Sequence, residues 1–275
     1  MTKLPHGLLI LSVAFSSLGY AQQASVNSET SHQSNSASGW QYRLGLGVEY
    51  EREYSGSSEN DTELEPIIQA TYRDTDAQWE FTTSLLSNQF RGHLSDHWVG
   101  AAWLNFEQGR EESDSSKDRL DGLGKIDDSI ELGLGLMYLP TDRLTLFIAA
   151  QTYASDKPSK GTVGFIGGQY ALIHRGQWAL DIGVDISFAD SDHLQTEFGI
   201  TDEQARNSIY QAHSISSGLK SYGASLSARY KLSKHWEITS ELDYEVLSSK
   251  VADSPLVKAG DDTEIEFGIG ISYLF

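Results

Sequence analysis

The chain has no cysteine in its 275 residues. Disulfides and thiolate metal centres are therefore excluded. Basic residues are also scarce, with 20 Lys and Arg against 39 Asp and Glu. Nucleic acid is disfavoured as a partner, because binding it needs a basic footprint. Long apolar runs are missing as well. The apolar region Leu8 to Phe15, with Ser12 inside it, falls short of the roughly 20 residues that a spanning helix needs, and no other segment reaches that length. A membrane location would have to be built from strands, since only helices and closed barrels satisfy every backbone polar group in lipid. The low mean hydropathy argues against a helical membrane protein but not against a barrel, whose strands are half apolar.

What is present begins with an export pattern. Lys3 supplies a positive end, Leu8 to Phe15 an apolar core, and Gly19-Tyr20-Ala21 small residues at the −3 and −1 positions. This predicts a secretory signal peptide over 1–21, cleaved after Ala21. Residues 22–39 are Ser, Asn, Gln and Thr with little to bury, which predicts a disordered periplasmic lead-in.

From Trp40 onward the pattern changes to strict alternation. Trp40, Tyr42, Leu44, Leu46, Val48 and Tyr50 interleave with polar residues or glycine. The same period of two recurs over 130–138, 178–188, 236–246 and 265–275. Each segment then has one apolar and one polar face. Segments of about ten residues, and connections alternating between short and long, fit a membrane barrel better than a soluble sandwich. Trp40, Trp98, Trp178 and Trp236 each open a strand, with Tyr138, Tyr170, Tyr230 and Tyr273 near the ends of returning strands. Such rings favour a membrane–water interface. The expected architecture is all-β: a transmembrane antiparallel up-and-down barrel over 40–275. If both ends face the periplasm, the strand number is even. Ten is favoured and twelve is the alternative, because 79–90 is short for two crossings at roughly nine to eleven residues each. On the ten-strand count, 64–73 belongs to the first outer loop or folds into the mouth.

Several stretches resemble the MltA-interacting protein (MipA)/OmpV family of outer-membrane proteins. They are Leu123-Gly124-Lys125-Ile126-Asp127-Asp128 with Glu131-Leu132-Gly133, Phe198-Gly199-Ile200-Thr201 with Gln204-Ala205, Gly218-Leu219-Lys220, Ala252 to Val257, and the ending Gly268 to Phe275. Glu197 departs from the aromatic that usually precedes Phe-Gly. The resemblance implies an outer-membrane barrel in contact with lipid. It also implies a scaffold that brings a lytic murein transglycosylase together with a penicillin-binding protein, other members being porin-like, adhesive or immunogenic.

The polar face predicts a lumen lined by Arg43, Glu49, Glu131, Asp181, Asp185, Arg229, Glu237, Glu241, Glu264 and Glu266. Two readings stand. One is an acidic, cation-favouring pore; the other is an interior filled by bridging ion pairs. Arg143, Arg175, Lys234 and His235 fall at short turns and predict a basic periplasmic rim, suited to protein partners or to anionic head groups. No enzyme, cofactor or metal is expected. His193 and His213 share a long loop with Asp192, Ser214 and Ser216, but Ser and Asp are common in loops. Thr201 with Gln204 predicts an N-capped helical turn, and Pro255 a rigid turn.

Overall fold

Alternating side chains leave each strand one face for lipid and one for the interior, and a sheet that closes on itself removes every open edge. The computed structural model describes residues 38–154 and 160–275. Among these, twelve antiparallel strands close into one barrel in sequence order, with β1 meeting β12. They are β1 Gly39–Arg52, β2 Asn60–Arg73, β3 Trp79–Ser84, β4 Ser87–Ser95, β5 Trp98–Glu107, β6 Ser129–Thr141, β7 Leu144–Ala154, β8 Thr162–Arg175, β9 Trp178–Ala189, β10 Gly218–Lys231, β11 Trp236–Leu247 and β12 Thr263–Leu274. The leader expected at 1–21 and nearly all of the lead-in lie outside the described residues.

The favoured count of ten is corrected to twelve. Residues 64–73 are neither loop nor mouth: β2 pairs with β1 along its whole length, from Gly39 opposite Arg73 to Arg52 opposite Asn60. The missing strands are β3, six residues long, and β4, nine. They fit because closure requires only that each strand finds ladder partners, not that each crosses the full apolar height. β3 pairs with no more than the last five residues of β2, Gln69 to Arg73. The hairpin turns back through Leu85 and Leu86, and β4 then runs past Phe90 to Ser95. The wall is low there. Pro66, which has no N–H to give a ladder, lies in the stretch of β2 beyond β3, where a proline is tolerated.

The outward apolar residues, Leu44, Leu46, Val48, Leu134, Ile148, Val184 and Ile269 among them, are exposed and form an outer apolar band of the kind that faces lipid in membrane barrels. An aromatic ring marks the end with the short turns. Trp98 lies 4.8 Å from Tyr138, Trp178 4.5 Å from Tyr230 and Trp236 5.2 Å from Tyr273, between ring centroids. Trp40, Tyr72 and Trp79 continue it.

At the opposite end, long loops fold into four short helices: α1 Ser191–Phe198, α2 Asp202–Asn207, α3 Ser249–Ala252 and α4 Pro255–Ala259. Each is capped locally. Asp190 accepts from His193 N at 2.9 Å. Thr201 and Gln204 exchange side-chain and backbone bonds at 3.2 and 2.8 Å, and Ser248 and Ser254 cap α3 and α4. Pro255 opens α4, where its missing N–H costs nothing; the expected rigid turn is a helix start. Leu194, Phe198, Val251 and Val257 turn down into the barrel and pack on Trp103, Tyr153, Val163 and Phe165. Burying each such side chain contributes about 1.5–3 kcal/mol. A second cluster, Tyr54, Leu120, Leu123, Ile200, Tyr210 and Leu256, ties four loops together. The loops thus form a plug with its own core.

Candidate functional site: the barrel interior and its two ends

The interior divides by height. Near the short turns it is filled with ion pairs. Glu237, only 1% exposed, lies between Arg43 at 2.8 Å and Arg229 at 3.8 Å. Glu80 lies between Arg73 at 2.6 Å and Arg91 at 3.3 Å. His174, next to Arg175 of the rim, points inward and meets Asp181 at 2.9 Å. A buried carboxylate is tolerated when it is paired in this way.

Midway up, Glu131 accepts from Trp103 Nε1 and from Asn105 Nδ2, each at 2.7 Å. The Trp103 indole lies where a Cβ on Gly133 would sit, so the glycine opposite makes room for it. Sequence reasoning missed Trp103 as an interior residue. The signal was available: Ala101, Trp103 and Asn105 share a face, opposite Gly135, Gly133 and Glu131 of the next strand.

Toward the plug the interior opens into a cavity of about 260 Å³. Glu51, Asp185, Glu241, Asp243, Glu264 and Glu266 line it, and Glu49 is buried on the same wall. Lys220 meets Glu245 at 2.9 Å. Glu264 accepts from Ser55 Oγ and Gly56 N, both at 2.7 Å. Phe198 and His193 close the top. Burial pushes the His193 imidazole below its usual value; Glu197 and Asp190 act against that, and Lys220 acts with it.

His193 Nδ1 and His213 Nε2 are buried without hydrogen-bond partners, Asp190 is used as a helix cap, and Ser216 accepts from Lys250 at 3.2 Å. Among the described residues no three acidic or imidazole groups converge as a metal site.

The rim is split by charge. Arg175, Lys231, Lys234 and His235 are exposed on the neighbouring β8–β9 and β10–β11 turns, while Asp74, Asp76 and Asp96 occupy the turns across the barrel. Arg143 is exposed beside Asp142. The expected basic rim is therefore basic on one side only. His235 is fixed by Leu274 O at 3.0 Å and by stacking on Tyr273 at 5.4 Å, so the chain end and this turn form one surface.

None of the curated proteins matches this sequence. Among solved structures, the NanC porin is 13% identical, with 84% of this chain and 98% of that chain covered and a TM-score of 0.44. The Pseudomonas putida toluene transporter TodX is 12% identical, covering 87% and 90%, at 0.43. A bacterial polysaccharide outer membrane secretin is 8% identical, covering 85% and 98%, at 0.48. The family model described as MltA-interacting protein MipA matches residues 44–275, and with that span matched this outer-membrane barrel belongs to the MltA-interacting protein family.

Proposed function

We propose that the chain is a non-enzymatic scaffold, exported to the outer membrane, that holds a lytic murein transglycosylase at the periplasmic face. The family's name supports the transglycosylase as partner. The carrying observation is where the barrel leaves surface free. The plug fills the outer mouth with apolar packing, and ion pairs fill the interior near the turns. What remains for a partner is the turn end, with Arg175, Lys234 and His235 beside the chain terminus. Charges at such a rim steer and orient an encounter. A penicillin-binding protein as second partner belongs to the same proposal.

Photo-cross-linkers placed at Arg175 and Lys234 in living cells test it. Capture of a murein transglycosylase is the expected result; its absence, with cross-links to lipid alone, sinks the scaffold. A second reading, a small cation-favouring channel, is favoured by the acidic cavity, since a ring of carboxylates favours a cation. Planar-bilayer recording separates the two: the scaffold predicts no steady conductance, and sizeable cation-selective steps would establish the channel instead.

A further inference from the structure

Register places carboxylates against one another around the plugged end. Asp243 stands opposite Glu266, and Glu245 opposite Glu264; Glu49 stands opposite Glu63. Like charges directly opposed on neighbouring strands repel. Lys220 compensates Glu245, but Glu51 and Glu266, 3% and 9% exposed, line the cavity with no hydrogen bond or ion pair among the described residues.

A separate observation comes from the other wall. Gln151 on β7 is 2% exposed. Its Nε2 donates to Tyr153 Oη at 2.7 Å, while its Oε1 has no donor. His193 stacks on Tyr153 at 5.5 Å, and its Nδ1 has no partner either. Both residues line the same cavity. Buried acceptors are normally satisfied, so an unmatched neutral amide here calls for a donor that the acidic wall cannot supply.

The cavity is thus richer in acceptors than in cations: eleven carboxylate residues line it against Arg52, Arg110, Lys160 and Lys220, and of these Arg52, Arg110 and Lys220 are already paired with Asp261, Glu197 and Glu245. Its carboxylates are spread over β1, β5, β6, β9, β11 and β12 rather than gathered at a point, and no three groups converge as a metal centre among the described residues. A single divalent ion does not match that distribution. A slender molecule with several ammonium groups does. Val163, Phe147 and Phe165 also line the cavity, and they offer apolar contact for methylene segments between charges. The volume, about 260 Å³, falls just below the usual range of ligand pockets, which starts at about 300 Å³, and so suits a slender molecule. We propose that this cavity binds a linear organic polycation of the polyamine class, its ammonium groups against Glu51 and Glu266 and an amine N–H toward Gln151 Oε1. The site is independent of the scaffold reading.

Calorimetric titration of spermidine into the detergent-solubilised full chain tests the proposal, with unfolding temperatures measured in parallel. Saturable binding is expected. Glu51→Gln with Glu266→Gln should weaken it at least tenfold and raise the unfolding temperature of the ligand-free protein, because repulsion is relieved. A merely structural role for these carboxylates would lower that temperature. Gln151→Leu, which leaves charge unchanged, should weaken binding several-fold. Magnesium chloride at matched ionic strength should not compete. No saturable binding, equal binding by the natural chain and the variants, or displacement by magnesium at matched ionic strength would each overturn it. If the double variant does not fold, Gln151→Leu decides by the same criterion.

Discussion

The two halves of the barrel interior are built on the same strands and the same alternation, yet they treat charge in opposite ways. Near the turns, Glu237, Glu80 and Asp181 each face a cation or an imidazole. Toward the plug, Asp243, Glu266, Glu51 and Glu49 face one another or empty volume. A barrel gains nothing in stability from opposed carboxylates, so the plugged half resembles a site and the turn half resembles filling. Alternation alone cannot tell them apart, because polar-inward is the same letter in both.

The largest expected effect tests the filling. Glu237→Leu leaves Arg43 and Arg229 buried without their shared partner, and breaking such a pair costs about 3–5 kcal/mol. Denaturant unfolding from lipid vesicles measures it. A loss well under 1 kcal/mol would show that the turn half is not held by its ion pairs. Next comes the plug. Ser254 is fully buried; its Oγ donates to Phe198 O at 2.7 Å and accepts from Leu256 N at 3.3 Å. Ser254→Ala should cost about 2 kcal/mol in plug packing, from a lost cap and an unmatched carbonyl. Faster proteolysis of 190–217, with the barrel still folded, would report it. The opposite sign is expected at Glu266. Glu266→Gln removes like-charge repulsion and should stabilise by up to about 1 kcal/mol. If it destabilises as Glu237→Leu does, the contrast between the halves collapses.

Legibility in the sequence followed the same physical lines. β1, β6, β9 and β12 were readable because their outward faces are uninterrupted runs of apolar side chains at period two, and β11 because its face breaks only at Ser240. β3 and β4 were not, since Thr83 and Asn88, hydrogen-bonded to each other at 2.9 Å, interrupt their apolar faces near the tip, and six residues are too few for a period to declare itself. The Thr201–Gln204 cap was legible because its bonds are local. That the helix beside it drops Phe198 into the barrel was not, because the partners Tyr153, Phe165 and Val251 are distant in sequence. Every lumen carboxylate lay on an inward face, but whether it met an arginine or another carboxylate depended on strand register, which periodicity does not supply.

The smallest effect concerns the boundary between plug and cavity, and pH isolates it. His193 is buried under the plug, and desolvation lowers its pKa from the usual 6.5, against Glu197 and Asp190 and together with Lys220. The unfolded segment therefore takes up a proton before the folded one does. The associated stability is complete above about pH 6.5 and is lost as pH falls from there toward the lower folded value, with a slope of at most about 1.4 kcal/mol per pH unit. Proteolysis of the 190–217 loop should quicken below pH 6.5 in the natural chain and be flatter in His193→Gln. Equal acid sensitivity in both would move the cause into the carboxylate wall beneath. That would make the plug a reporter of the cavity's charge rather than of its own imidazole.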